Sequence, residues 1–461
     1  MNELINKYLD DSTEELYGIS KAIWDNPETP FNEHFAKKLQ MDFLSGKGFK
    51  VMNVEGIDTA FIAEYGSGAV KVGFLGEYDA LPGLSQGICA ERKPVVENGA
   101  GHGCGHNLIC VGALAGALAL KEAMDAERLD CTIRYYGCPA EEALVGKVDM
   151  VERGVFEDVD FCLTWHPFDV NKVWTASSLS IMDMTFKYKG ITSHAADAPH
   201  LGRSALDAVE LMNVGINYLR EHVIDKARIH YAITNGGARP NVVPEFAESH
   251  YNIRAPKNNQ LFEIVKRVIN VAKGAEMMTE TELDYKINSG LYDFNANKTL
   301  STILEENFSK VEKPVLDDEE LKFYKEIGST ITDSTKNERF SKYSVESFDY
   351  NENPLMTFFD ATRWDKEVLS GSTDVGDVSW IKPTGQLIGA TWALGVAAHT
   401  WQATACSGTK YAAKVAAMVG KVLSKTAYDV IKDSEKLEQI KADFAKDTQN
   451  FEYIRMENKE I

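Results

Sequence analysis

The 461-residue chain is short of positive charge: 49 lysines and arginines stand against 69 aspartates and glutamates, a formal net charge of −20. A surface of that sign repels phosphate backbones and anionic headgroups, which argues against nucleic-acid and membrane partners. Long apolar runs are also lacking. The longest, LICVGALAGALAL at 108–120, has thirteen residues, too few to span a bilayer. The opening MNELINKYLDDSTEEL carries neither a basic n-region nor an apolar h-region, so no secretory leader is expected. Cysteines number seven at irregular spacing. That odd count argues against a disulfide framework and makes the cytoplasm the expected compartment. Histidines are as sparse, at ten in all, so the places where they gather are informative.

What is present is ordinary for a folded protein, 44% hydrophobic and 26% charged. The length exceeds one core and predicts two or three domains. Helical spacing over 2–24 and 32–46 is broken by the turn signal DNPETP at 25–30. VKVGFLG (70–76), CTIRYYGCP (131–139) and DFCLTWHP (160–167) read as buried strands, with the apolar helix of 108–124 after the first. Polar residues collect where these strands end: EYDALPG, AEE and His166. That is the pattern of an α/β domain with its site at the carboxyl edge of a mostly parallel sheet. From 180 the rhythm becomes βαββαβ, through strands at 180–190, 228–237, 245–254 and 281–287 and helices at 204–223 and 258–279. This is the order of a ferredoxin-like sandwich, and it looks inserted. Helices are expected again at 298–312 and 317–334. Glycine-rich turns are expected at GSTDVG (371–376) and TGQLIG (384–389), and a helical tail from about 408.

The strand ends deliver metal-ligand residue types. Cys104 and His106 lie in NGAGHGCGHN (98–107), Glu141 and Glu142 in PAEE, His166 ends a strand, and His399 sits in GVAAHTWQ. Imidazole, carboxylate and thiolate together suit zinc and its transition-metal neighbours. Each residue alone has a plainer reading: a hydrogen-bonded histidine, a buried thiol, a solvated acidic helix start. Their recurrence at successive strand ends is what favours ligation. Five candidate ligands exceed the needs of one tetrahedral ion, so two ions sharing a bridge is the economical reading. One glutamate can then bind metal while its neighbour takes a proton from a metal-activated water, which would attack an amide or ester carbonyl. The glycines do not make a nucleotide loop, because ICAERKPVVENGAG before them is no strand and no phosphate-binding lysine follows. Cys104 has no C-x-x-C partner for redox work. His102 is assigned no role.

Taken jointly, GEYDALPG (76–83), GHGCGHN (101–107), PAEE (139–142), the His166 strand end, SHAADAPHLGRSALDA (193–208), PNVV (240–243) and AAHTW (397–401) resemble a known family. It is that of the dinuclear metallopeptidases and amidohydrolases, which includes aminoacylases, glutamate carboxypeptidases and indole-acetyl-amino-acid hydrolases. The resemblance covers nearly the whole chain and is strongest to the aminobenzoyl-glutamate hydrolase type, and within it to one of that type's two kinds of chain, the second. It implies a three-layer, zinc-peptidase-like catalytic domain in two parts, 1–179 and 291–461, with a ferredoxin-like lid and dimerisation domain at 180–290.

It further implies Cys104, His106, Glu142, His166 and His399 as ligands of two divalent ions, zinc or manganese, with Cys104 bridging. Glu141 would be the general base. His194 would reach an active site, often the partner subunit's, to stabilise the oxyanion. Asn241 and Arg254 would hold the substrate's carboxylate, and Asp79 would stand behind the metals. Arg239 and His200 are weaker candidates. The implied activity is hydrolysis of an N-acyl amino acid, p-aminobenzoyl-glutamate being one candidate, by a homodimer or by a hetero-oligomer with a related chain. The alternatives are a dipeptidase of the same family and a non-catalytic or partner-dependent member of a larger hydrolase. Asn107 and Thr373-Asp374 depart from the Asp and Glu-Asp of many relatives and are expected to alter substrate fit. The role of 313–370 stays open.

Overall fold

The computed structural model describes residues 1–343, 348–350 and 352–459; part of the unassigned 313–370 segment, at 344–347 and 351, therefore lies outside the described residues. The chain divides into two compact units. The first comprises Met1–Ala176, Asn295–Asp365 and Val378–Phe451; the second comprises Ser177–Phe294, Lys366–Asp377 and Glu452–Ile461.

In chain order the first unit supplies strands β1 (Lys50–Val54), β2 (Ile57–Gly66), β3 (Val70–Glu77), β4 (Cys131–Cys138), β5 (Phe161–Phe168) and β6 (Val170–Val173). The second supplies β7 (Ser180–Lys189), β8 (Arg228–Asn235), β9 (Phe246–Ala255) and β10 (Glu282–Leu291). The chain then gives the first sheet its last two strands, β11 (Met356–Phe359) and β12 (Thr384–Ala390).

The eight-stranded sheet of the first unit runs β1-β2-β4-β3-β5-β12-β6-β11. Its centre, β4-β3-β5-β12, is parallel, and β1 and β2 add antiparallel strands at one edge. Strands β3, β4 and β12 are buried at almost every position, as expected when layers cover both faces of a parallel sheet. β4 lies on one side of β3 and β5 on the other. The crossovers thus diverge at β3 and leave a crevice over its carboxyl end.

The helix after β3, His106–Glu127, is apolar and long enough to pass as a membrane span, but 83% of its most apolar window is buried within the protein. It packs against the helix Lys410–Lys432. At their crossing a Cβ on Gly420 would stand 2.4 Å from Ala115 Cβ, so only glycine permits the approach.

TGQLIG, expected as a turn, is instead the central strand β12, paired in parallel with β5 over its whole length. Its glycines serve packing. A Cβ on Gly385 would meet Leu304 Cδ1 at 2.8 Å, and one on Gly389 would meet Val415 Cγ1 at 2.9 Å. Composition alone points to a turn there; the close layer above the strand reverses it.

The second unit holds a four-stranded antiparallel sheet, β10-β7-β9-β8, with helices Ala205–Leu219 and Asn258–Thr279. Strand order and connectivity are those of the ferredoxin-like sandwich. Strict alternation along β9 buries Ala247, Ser249, Tyr251, Ile253 and Ala255. This unit is larger than the 180–290 segment, because parts of the expected second catalytic stretch, 291–461, belong to it. The Tyr453 hydroxyl donates to Asp377 Oδ1 at 2.9 Å, and Tyr292 donates to the Ile454 carbonyl at 2.7 Å. These bonds tie Glu452–Ile461 and Lys366–Asp377 into it.

Candidate active site

The loop between β3 and the buried helix is shaped by glycine. Gly105, at φ 73°, takes the left-handed turn that starts the helix. A Cβ there would meet Pro167 Cγ at 2.8 Å, so glycine alone fits. The turn sets Cys104 and His106 beside the ends of β4 and β5. Three overlapping groups of ligand atoms result, each within 4.8 Å: Cys104 with His106 and His166; Cys104 with Glu142 and His399; and Glu77 with His106 and Glu141. All belong to the first unit.

Individual contacts fix the orientation of these groups. His106 Nδ1 lies 2.8 Å from Asp79 Oδ1, while Asp79 Oδ2 accepts the Glu142 N–H at 2.9 Å. One buried carboxylate thus orients two candidate ligands. His106 Nε2 then faces Glu77 Oε2 at 3.5 Å, Glu142 Oε1 at 3.8 Å and Glu141 Oε2 at 3.9 Å. Cys104 Sγ lies 3.3 Å from His166 Nε2, and His166 Nδ1 is bonded to the Pro167 carbonyl at 2.7 Å. His399 holds a left-handed backbone at φ 61°. Its N–H donates to the Gly103 carbonyl at 2.9 Å, and its Nε2 stands 3.3 Å from Glu142 Oε2.

The electrostatics are those of a dry, charge-rich pocket. Burial pushes the Cys104 thiol above its usual range, and the Glu142 charge adds to the effect. Burial works against a charged His106, yet the Asp79 carboxylate outweighs it and raises that imidazole well above the ordinary value. Burial also opposes charge on Glu142, but His399 and His106 hold its carboxyl down. His166, with burial dominant, is lowered.

Donor chemistry and orphaned atoms both fit bound cations. Among the described residues, His106 Nε2 and Glu142 Oε1 are buried without a hydrogen-bond partner. Unpaired buried polar atoms are costly, and a cation would satisfy both. A coordinated thiol ionises in spite of burial.

Several residues here escaped the sequence. Glu77 Oε1 is bound by Lys147 Nζ at 2.6 Å, and the lysine side chain is fully buried. Glu33, also buried, accepts the Ala140 N–H at 2.9 Å. Glu77 had a usable signal, since E-x-D at a strand end places both acids on one face. Lys147 and Glu33 had none, being a lysine in a helix and an acid at a helix start.

Other expectations find different surroundings. His102 is buried with Nε2 3.3 Å from the Ile23 carbonyl, and burial lowers its pKa to about 3. Asn107 donates to Ser20 Oγ and to the Ser407 carbonyl, each at 2.9 Å, so its amide is spent on packing rather than on substrate fit. His194, Asn241 and Arg254 belong to the second unit. There His194 is exposed, pairs with Val242 in an isolated bridge, and accepts the Asp197 N–H at 3.0 Å. The exposed Asn241 accepts the Ala195 N–H through its carbonyl at 3.1 Å. Arg254, on β9, is partly buried, and burial lowers its pKa.

Residues 73–356 match the family described as peptidase family M20/M25/M40, and the chain belongs to that family. It is a metal-dependent amidohydrolase. The second of the two named chains of the p-aminobenzoyl-glutamate hydrolase of Escherichia coli (strain K12) is 39% identical to it, over 94% of each chain. The Xaa-Arg dipeptidase of Mus musculus is 31% identical over 95% of this chain and 90% of its own. Among solved structures, a dinuclear metal-binding peptidase of Bacillus subtilis superposes with a TM-score of 0.56 at 17% identity. It covers 89% of this chain and 99% of its own. The likeness extends to fold alone.

Proposed function

We propose that the chain hydrolyses the amide bond of an N-acyl amino acid, with p-aminobenzoyl-glutamate the leading substrate. The reading is supported by the convergence of Cys104, His106, Glu142, His166 and His399 in one buried cluster and by the 39% identity to a chain of a hydrolase named for that substrate. These five residues would hold two divalent cations, zinc or manganese, with Cys104 common to two of the groups and therefore the bridge. When bound, the cations supply Lewis acidity, polarising the amide carbonyl and making a water acidic.

The chain's own residues do the rest. Asp79 fixes His106 through Nδ1, so that Nε2 presents its lone pair to the ion. Glu141 takes a proton from the attacking water and returns it to the departing amide nitrogen, leaving a carboxylic acid and an amine. His194 donates to the carbonyl oxygen as it gains charge. Arg254 pairs with the substrate's free carboxylate in the two-point geometry that guanidinium offers, and Asn241 adds a third contact. The protein acts in the cytoplasm as a homodimer through the second unit, or together with a related chain. In support of the latter, a Haemophilus influenzae homolog of the other p-aminobenzoyl-glutamate hydrolase chain is 28% identical over 46% of this one.

A second reading, a dipeptidase, is supported by the Xaa-Arg dipeptidase match. The purified chain alone, given manganese or zinc, should release glutamate from p-aminobenzoyl-glutamate faster than it cleaves dipeptides ending in arginine. The reverse order would favour the dipeptidase. No turnover of any substrate until a companion chain is added would make it a partner-dependent member of a larger hydrolase.

A further inference from the structure

Two buried acids grip the turn that carries Glu141 and Glu142. β4 ends at Cys138, and Pro139 has no N–H to offer. The first amide of the turn, that of Ala140, donates to Glu33 Oε1 at 2.9 Å, and the amide of Glu142 donates to Asp79 Oδ2 at 2.9 Å. Asp79 is already tied to the ligand cluster through His106; Glu33 is not.

Ala140 itself sits at φ 54°, in the left-handed region that a side-chain-bearing residue occupies at a cost. Something must hold it there. Glu33 is fully buried and stands at the N-cap position of the helix His34–Gly46, yet its side chain makes no capping bond to that helix. It reaches across 107 positions of sequence to Ala140 instead. Burial, with the Asp79 charge next, raises its carboxyl to about 7, so this placement is unfavourable for an ionised group. A capping role, which would be solvated and local, does not account for it.

We infer that Glu33 is a positioning residue for amide hydrolysis: by holding Ala140 in the left-handed conformation it aims the Glu141 carboxylate at the attacking water. The inference rests on the proposed role of Glu141 as base. Glu33 is not itself among the groups that would touch ions or substrate. Its effect is confined to kcat, because neither the ligand atoms nor the carboxylate grip depends on the Ala140 amide.

The test is a double-mutant cycle on the purified chain, read by kcat and KM on its best N-acyl amino acid, by bound metal content, and by hydrogen exchange of the peptide 139–146 in metal-free protein. Glu33→Ala should lower kcat at least about tenfold with KM and metal content unchanged, and should speed exchange in that peptide. Glu33→Gln keeps an acceptor for the Ala140 N–H and should stay within about threefold of the parent. Glycine adopts positive φ freely, so Ala140→Gly added to Glu33→Ala should restore kcat to within about threefold. Should Glu33→Ala not fold, Glu33→Met, close in size and without an acceptor, takes its place with the same expectations. Unchanged kcat in the acceptor-less variant, loss of metal along with activity, or no recovery in the double variant would each overturn the inference. Glu141→Gln run alongside separates the two failures. Full turnover there removes the base assignment itself; an inactive Glu141→Gln beside a fully active Glu33→Ala removes only the role of Glu33.

Discussion

The candidate ligands and the candidate substrate-gripping residues live in contrasting surroundings. In the first unit Asp79, His106 and Glu77 are buried and bonded to one another or to Lys147 before any ligand arrives. In the second unit His194 and Asn241 are exposed, and the bonds around them are short-range ones to backbone amides. The contrast is what different tasks require. A cation demands ligand atoms placed to a fraction of an ångström, so its ligands are locked by an outer ring of acids and a lysine. An oxyanion donor and a carboxylate clamp engage only when substrate is present, and freedom beforehand costs them little.

That division can be broken experimentally. The largest effect is expected at His194: His194→Ala should lower kcat about 10²–10³-fold, the loss typical of a missing oxyanion donor, while metal content stays at the parent level. Loss of metal in this variant would erase the distinction between the two sets. Asp79→Ala should do the opposite and weaken metal retention about 10–100-fold in competition with a chelator, since His106 and the Glu142 amide both lose their anchor. Arg254→Met should raise KM roughly tenfold with little change in kcat, and the penalty should vanish for an amide substrate without a free carboxylate. A fall in kcat at constant KM would move Arg254 out of the clamp.

The smallest effect concerns stability. Glu33 holds its proton up to about pH 7 in the folded protein, against about 4.5 unfolded. Below the lower value both states are protonated and the group contributes nothing. Between the two values only the unfolded state releases the proton, so the folded state loses ground as pH rises. Thermal melts should therefore show Glu33→Gln gaining on the parent chain between pH 4.5 and 7, by roughly 2–4 °C for each kcal/mol involved, and holding that lead above pH 7. A lead that shrinks with rising pH would contradict the direction of the shift.

Much of this was legible in the sequence alone. The ends of β3, β4 and β5 declare themselves through buried runs that stop at acids and histidines, and βαββαβ periodicity marks the second sheet. What was hidden depended on contacts between distant segments. TGQLIG looks like a turn because two glycines lie four residues apart, and only the layer of Leu304 and Val415 above the strand explains them. Lys147 reads as a helix surface lysine until Glu77, seventy positions earlier, is found on its ammonium. Glu33 reads as a helix cap until Ala140 is found on its carboxyl. Attachment of Glu452–Ile461 to the second unit hangs on Tyr453 and Asp377, residues with no local pattern.

The central claim is that ion binding and proton transfer are divided between two adjacent glutamates. Metal content and turnover measured together on Glu141→Gln test it most directly. The account predicts two divalent ions per chain, as in the parent, with turnover lower by about 10²–10⁴-fold. An ion lost with the substitution, or turnover at the parent rate with both ions in place, would contradict it.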